Sequence, residues 1–387
     1  MPAVPAQPGR PAQAELVAIG ATRACLANGR LYLAPEPDKF AKVAAWLENH
    51  PEQRCRLAIS TPAAIRDALL ATDNMEVAER VVGTLSRAHP EFSARHVLSR
   101  CQIIFGLLLV AFLAGCLVLA WRPTLLLLNL AMGTLFFGMA VLRLIAVARL
   151  ARFGPRRPPR IAMGEDEALP VYTVLVPLYG EARVVRDLVH GLQSLDWPPD
   201  RLDVKLILEA DDAETRRAAE TAVGGTPFEI VVVPPVLPRT KPRALVYALQ
   251  FARGELVTVY DAEDRPHPMQ LREAHAAFSR GGADLACLQA PLLIDNLRAG
   301  MLARYFALEY AALFDGLLPA LAALHMPLPL GGTSNHFRRD ALEKAGGWDP
   351  YNVTEDADLG IRLARLGYRC DTITRPTWEE APVAPRA

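Results

Sequence analysis

The chain has 387 residues, with Lys+Arg and Asp+Glu both at 42, so its formal net charge is zero. No basic excess marks a nucleic-acid partner, and the length suffices for two or three domains. A mean hydropathy of +0.15 points to a membrane segment. Six scattered cysteines, with no CxxC pair and no His at zinc spacing, fit reduced, cytosol-facing domains better than a disulfide framework or a zinc site.

Residues 1–14 are rich in Pro and Ala, so disorder is expected there. Residues 15–100 read as a small α/β domain. In "ACLANGRLYLA", Asn28-Gly29 separates two apolar runs, a type I′ hairpin signal. "DKFAKVAAWLEN" has helical periodicity and "CRLAIS" reads as a short strand. "TPAAIRDALL" opens a helix with Thr61 as N-cap and Pro62 at the first position. In pattern the stretch resembles the N-terminal domain of type II secretion and pilus assembly ATPases. It lacks the Arg-Leu-Gly motif through which some relatives bind cyclic di-GMP. A regulatory or docking domain with a partner protein and a plain folded spacer both fit.

Residues 101–150 carry the hydropathy. Ile103 to Trp121 holds no charged residue; at about 1.5 Å per residue it covers roughly 28 Å, close to the ~30 Å of a hydrocarbon core. Leu125 to Leu142 has Asn129 as its one strongly polar side chain. A transmembrane hairpin is expected, with a buried helical pair in a soluble core as the bland alternative. Arg95 and Arg100 precede the first span, and Arg143, Arg149, Arg152, Arg156, Arg157 and Arg160 follow the second. The connecting turn holds only Arg122. The positive-inside rule then puts both ends in the cytoplasm. The expectation is a multi-pass protein of the inner, cytoplasmic membrane, with membrane lipids as partners and both soluble domains cytoplasmic.

After a Pro- and Arg-rich linker at 151–170, residues 171–387 alternate strand and helix patterns. Strands are expected at Tyr172–Leu178, Leu202–Leu208, Phe228–Val233, Leu256–Tyr260 and Leu285–Leu293. Helices are expected at Glu181–Leu195, Ala213–Ala222, Pro242–Arg253 and Met269–Arg280. The fold class is therefore α/β, a mostly parallel twisted sheet with helices on both faces. Ligands of such sheets sit beyond the carboxyl ends of the strands.

Those ends carry polar clusters: Tyr179, Gly180 and Glu181; Glu209, Asp211 and Asp212; Asp261, Glu263 and Asp264; and Glu355, Asp356 and Asp358 at a helix start. One such cluster is ordinary, since acids favour first helical turns. Four in one sheet domain are not. Asp261 and Glu263 fall on one side of an extended segment, and two hard oxygen ligands suit Mg²⁺ or Mn²⁺ bridging a diphosphate. Gly331 to His336 ("GGTSNH") is polar and reads as exposed backbone after an apolar stretch, which suits sugar contact by Thr333, Ser334, Asn335 and His336. His336 reads equally as an ordinary surface histidine. Residues 301–323 read as a helix too short in unbroken apolar run to span, either interfacial or buried in the domain.

Residues 171 to 382 resemble the family 2 glycosyltransferases of the GT-A fold, especially the membrane-bound, cellulose-synthase-like branch. The resemblance rests on "VLVPLYGE", "LEADD", "KPRALVYAL", "YDAEDRPHPMQL", "GGTSNHFRRDAL", "GGWDPYNVTEDADLGIRLARLGYR" and "EEAP". It implies that Tyr179, Glu181, Asp211, Asp212 and Asp261 surround a nucleotide-sugar and that Lys241 approaches it. Asp261 with Glu263 becomes a variant of the metal-binding Asp-x-Asp pair, with Asp264 competing for the third position. Asp356 becomes the general base and Glu355 an acceptor-side contact.

The activity so implied is a membrane-anchored inverting hexosyltransferase, moving sugar from a UDP-hexose to a growing β-linked polysaccharide or a lipid acceptor. The Gln-x-x-Arg-Trp motif and further transmembrane helices of that branch are absent after "EEAP", so a fragment or truncated product, poor in transfer, is expected. The alternative is a catalytically weak regulatory or docking protein that retains nucleotide-sugar binding.

Overall fold

The computed structural model describes residues 24–27, 30–33, 40–51, 57–59, 75–95, 97–154, 156–159 and 169–381. The expected disorder at 1–14, the Asn28-Gly29 turn and the Thr61-Pro62 helix start lie outside the described residues.

Two units are separated near Ala78. In the first, β1 (Ala24–Ala27) and β2 (Arg30–Leu33) pair antiparallel with Ala27 opposite Arg30. Strand β3 (Leu57–Ile59) joins β2 in parallel. Helix α1 (Phe40–Asn49) buries Val43 and Trp46, three residues apart on one face.

The second unit begins at Glu79; after a short segment with helical turns at Thr84–Ala88 and Pro90–Phe92 come two long apolar helices, α2 (Arg100–Leu119) and α3 (Trp121–Phe153). Ser99 opens α2 with a capping box: its hydroxyl accepts from the Gln102 N–H at 3.2 Å, and its own N–H donates to Gln102 Oε1 at 2.7 Å. Side chains such as Leu108, Leu126 and Phe136 point outward from α2 and α3 and are exposed. Helices apolar all round fit a membrane. By length and composition a third helix, Met301–Ala323, also qualifies. This corrects the expectation that its apolar run is too short. Few charges interrupt it, so its mean hydropathy of 1.4 stays high without an unbroken apolar run.

The rest is the α/β domain. Its seven-stranded sheet is built from β4 (Tyr172–Leu178), β5 (Leu202–Glu209), β6 (Glu229–Val233), β7 (Leu256–Val259), β9 (Leu285–Gln289), β11 (Asn335–Arg338) and β12 (Arg369–Thr372). The order is β12-β9-β11-β7-β4-β5-β6. All pairs are parallel except those of β11, which runs antiparallel between β7 and β9. A small second sheet joins β8 (Arg265–Pro266), β10 (Leu292–Ile294) and β13 (Thr377–Glu379). The single strand expected over 285–293 therefore splits at Ala290-Pro291, where proline has no N–H to continue the ladder. Central strand β4 is almost entirely buried, as a parallel strand covered on both faces must be.

Helices α4 (Val185–Gln193), α5 (Ala213–Ala222), α6 (Lys241–Leu249), α7 (Gln270–Arg280) and α8 (Glu355–Arg365) complete the layers. One core packs Leu188, Leu192 and Leu271 against Val174, Val176 and Leu206 of the sheet. Within the sheet Lys205 is fully buried, with Asp203 at 2.7 Å and Glu229 as partners. Asp203 also accepts from Thr173 Oγ1 at 2.8 Å and from the Arg253 N–H and Nε at 2.9 Å. Burial opposes its ionisation, but Lys205 and then Arg253 outweigh it and hold the carboxyl down at about 2.

Asp203→Ala removes one of the two carboxylates that neutralise buried Lys205 and the acceptor of Thr173 and Arg253, so chemical denaturation of the purified protein should show a loss of about 3–5 kcal/mol. The Asp203 contribution is present above the unfolded value near 4 and is lost as pH falls toward 2. An acid titration in which parent and Asp203→Ala differ equally at all pH values contradicts this assignment.

Candidate active site

Strands β4, β5 and β7 run in the same direction, so their carboxyl ends open on one edge. There a cavity of about 300 Å³ is floored by Pro177, Leu178, Ile207 and Ala244. Tyr179, Asp211, Arg239, Lys241 and Asp261 stand among its lining residues. Tyr179 is 66% exposed, an aromatic face open to a planar ligand.

Of the acids expected around a nucleotide, Asp211 lines the cavity and pairs with Arg239 at 2.6 Å. Asp212 is committed elsewhere. One oxygen caps α5 by accepting from the Thr215 N–H at 3.0 Å, and the other accepts from the Gly180 N–H at 2.6 Å. Its role is to join the ends of β4 and β5. Glu181 is half-buried, outside the cavity lining, with its N–H on Thr215 Oγ1 at 3.1 Å. Below the rim, Glu209 is ion-paired with buried Arg243, which also donates to the Pro234 and Val236 carbonyls.

Lys241 opens α6, which Thr240 caps at 3.4 Å. Its Nζ lies 2.6 Å from Asp261 Oδ1 and 2.6 Å from the Gly332 carbonyl. Burial alone lowers its pKa, yet Asp261 and then Asp356 raise it above the ordinary value.

The segment after β7 is not extended. Asp261 to Asp264 forms a tight turn, with the Asp264 N–H on the Asp261 carbonyl at 3.2 Å. The period-two argument that put Asp261 and Glu263 on one side therefore fails. Asp261 faces the cavity while Glu263 is exposed. Asp264 turns inward instead of competing as a ligand. Its Oδ2 accepts from the Asp261 N–H at 2.7 Å and from the Thr333 hydroxyl. Burial, reinforced by Asp261, pushes Asp264 up to about 8.

Glu379 of β13 belongs to the same neighbourhood. Burial raises its pKa, and Glu263 and Asp261 raise it further. Among the described residues no three His, Cys, Asp or Glu side chains gather closely enough to form a metal cage by themselves. Asp261 already holds a cation, the Lys241 ammonium, so a hard carboxylate faces the cavity at a position that tolerates positive charge. Asp261 would be the cavity-side ligand of a divalent cation and Glu263 could join it only from the exposed side of the turn, the remaining oxygens coming from a bound ligand.

Asp356 begins α8 and is 5% exposed, with its Oδ1 accepting from Trp348 Nε1 at 3.0 Å. Burial pushes it up to about 7; Lys241 pulls the other way, while Glu355 and Asp261 add to the rise. Glu355 is also buried and raised, mainly by that burial. Lys241, Asp261, Glu355 and Asp356 therefore form one electrostatic cluster.

The expected sugar-contacting side chains behave differently. Ser334, Asn335 and His336 are within 1% of full burial because the segment enters β11, a central antiparallel strand. Ser334 donates to Thr377 Oγ1 at 2.6 Å, and Asn335 Nδ2 donates to the Gly331 carbonyl at 2.5 Å. His336 is neither a sugar contact nor a surface histidine. It bonds the Tyr172 hydroxyl at 2.7 Å and Gln270 Oε1 at 3.2 Å, and burial pushes it down to about 3. Thr333 is buried too, bonded to the Asp261 N–H at 3.2 Å and to Asp264. It shapes the turn beneath the site.

Sequence reasoning missed Arg239, Trp348 and Glu379 as site residues. A signal existed for Trp348: a buried indole N–H needs an acceptor, and an acidic cluster that includes Asp356 follows it across one short loop.

The family described as "Glycosyltransferase like family 2" matches residues 170–381. The probable glycosyltransferase YdaM of Bacillus subtilis (strain 168) is 26% identical over 220 residues, 55% of this chain and 51% of that protein. The cellulose synthase 1 catalytic subunit [UDP-forming] of Komagataeibacter xylinus is 26% identical over 217 residues, 55% of this chain and 28% of that protein. The chain thus spans about half or less of the length of these relatives. Among solved structures, the mannosyltransferase PcManGT from Pyrobaculum calidifontis in complex with GDP-Man and Mn2+ is 24% identical. It covers 63% of this chain and 70% of its own, with a TM-score of 0.47. With a match over more than half its residues, the chain belongs to the glycosyltransferase-like family 2.

Proposed function

We propose that the chain is a membrane-anchored inverting glycosyltransferase of polysaccharide biosynthesis, taking sugar from a nucleotide-sugar, a UDP-hexose first, to a β-linked glycan or lipid acceptor. The observation that carries this reading is the Lys241–Asp261 ion pair at the open strand edge, with Lys241 also on the Gly332 carbonyl, where a Cβ on Gly332 would meet Asp356 Oδ2 at 3.9 Å. In it, Tyr179, Asp211 and Arg239 receive the nucleotide. Asp261 and Glu263 would hold Mg²⁺ or Mn²⁺, which would supply charge neutralisation at the leaving diphosphate. Asp356 takes the proton of the acceptor hydroxyl as its oxygen bonds the anomeric carbon and the bond to the diphosphate breaks on the opposite face. A carboxyl near 7 suits a general base at neutral pH. Lys241, next to Asp261, offers positive charge to the departing phosphates. Helices α2 and α3 form the anchor, both soluble units lie in the cytoplasm, and the N-terminal unit docks a partner.

Calorimetry of UDP binding should show Mn²⁺ dependence that Asp261→Ala removes; equal UDP affinity in EDTA contradicts the metal role. With Cys101 and Cys116 replaced by Ala, a maleimide added to intact cells should label Pro123→Cys and leave Arg157→Cys unlabelled. The opposite pattern places the soluble units outside. Asp356→Asn should lower transfer by about 10²–10⁴-fold while UDP binding persists.

The same variant has a stability signature. The folded state keeps a proton on Asp356 that the unfolded chain releases near pH 4, so this share of stability is present below about 4 and is lost as pH rises toward 7. Asp356→Asn keeps the Trp348 acceptor without the buried charge. Its melting temperature should equal or exceed the parent's above about pH 7, and a lower one contradicts the buried-charge account.

A further inference from the structure

The residues just before α2 form a strap, and what it touches is the loop that holds Asp356. Leu85 is 2% exposed and Ser93 is 8% exposed, although both precede the apolar helices in the chain. Ser93 Oγ donates to Asp349 Oδ1 at 3.1 Å, and the Ala94 N–H donates to Asp349 Oδ2 at 2.5 Å. Arg95 stacks over the Tyr351 ring at 5.4 Å, and Arg365 of α8 over the Phe92 ring at 4.5 Å. Gly346 has φ +83°, and a Cβ there falls 2.6 Å from Leu85 Cδ1, so the loop passes flush against the strap.

Asp349 is fully buried, and a buried carboxylate without donors is strongly unfavourable. Besides the two strap donors it accepts from the Tyr351 N–H at 3.2 Å. The strap thus supplies two of its three hydrogen bonds.

The same loop carries Trp348, which donates to Asp356 at 3.0 Å, and Pro350, whose carbonyl accepts from Thr240 Oγ1 at 2.8 Å beside Lys241. From below, Arg362 of α8 donates to the Ala345 and Gly347 carbonyls at 2.8 and 2.7 Å. A shift of this loop therefore moves the indole that orients Asp356.

We propose that Asp349, latched by Ser93 and Ala94 of the strap, is a positioning residue that holds Asp356 through Trp348. The proposal rests on the reading of Asp356 as base. It makes the segment joining the N-terminal unit to the first apolar helix part of the transfer machinery.

The test uses the full chain in detergent, labelled with 5-fluorotryptophan. Trp348→Phe assigns one fluorine resonance among the five tryptophans. Ser93→Ala and Asp349→Asn should each shift or broaden that resonance, and Ser93→Thr, which keeps the hydroxyl, should restore it. In a UDP-glucose hydrolysis assay, Ser93→Ala should lower kcat about 10-fold or more, with UDP affinity in Mn²⁺ unchanged. An unmoved Trp348 resonance in both Ser93→Ala and Asp349→Asn overturns the proposal. So does a parallel fall of UDP affinity and kcat, the mark of general unfolding. If the parent hydrolyses no donor, the transfer reading is what suffers, and the fluorine signal alone decides the latch.

Discussion

Crowding of carboxyl groups around a single ammonium is the constraint on which the site depends. Lys241 feels Asp261, Asp356 and Glu355 together, and they raise its pKa although burial lowers it. The same ammonium restrains Asp356, which burial and Glu355 push upward. In a region partly shielded from water each of these interactions is stronger than in bulk solvent. The charge state of one group therefore sets that of the others. Parallel strands make such crowding possible, because β4, β5 and β7 deliver their last residues to one edge.

A second constraint lies beneath the first. Strand β7 must stop at Val259 and release Asp261 into the cavity, and the turn that does so is locked by Asp264. That lock needs Thr333, which in turn needs the chain to return antiparallel along β7 as β11. Gln289 of β9 pins the return by donating to the Thr333 carbonyl at 3.0 Å and accepting from the Gly331 N–H at 2.7 Å. The buried polar run from Thr333 to His336 is thus the scaffold of the Asp261–Asp264 turn. Such networks fix one geometry when nearly every member is satisfied.

This explains which features were legible in the sequence. Strand β4 and helix α5 match their expected limits residue for residue, because a buried apolar run and an Asp N-cap are local signals. Asp261 and Asp356 stand out in the sequence because clustered charge at strand ends has few structural uses, whereas Lys241 enters only through the family resemblance; the structure brings the three into one electrostatic cluster. The antiparallel β11 was not found. Its side chains are polar yet buried, and only partners distant in sequence, Tyr172, Gln270 and Thr377, make that burial tolerable. Asp212 and Asp264 were misread for a related reason. A carboxylate that caps a helix or closes a turn has the same local sequence as one that binds a ligand, and only the positions of Gly180 and Thr333 tell them apart.

The site is also mechanically continuous with the apolar helix Met301–Ala323. That helix packs against α3. Phe314 in its π-helical turn lies against Gly331, where a Cβ falls 3.2 Å from the ring. The chain leaving the helix then passes so close to α8 that a Cβ on Gly360 falls 2.1 Å from the Leu328 carbonyl. Any larger residue at 360 must push either Leu328 or the helix that begins with Glu355 and Asp356. Close-packed contacts of this kind transmit displacement because interiors have little free volume to absorb it. The apolar helix and the chain leaving it therefore touch the Gly331–Gly332 segment on one side and α8 on the other. Lys241 is bound to the first of these and Asp356 is borne by the second, so packing of the apolar helix and geometry of the site share the same contacts.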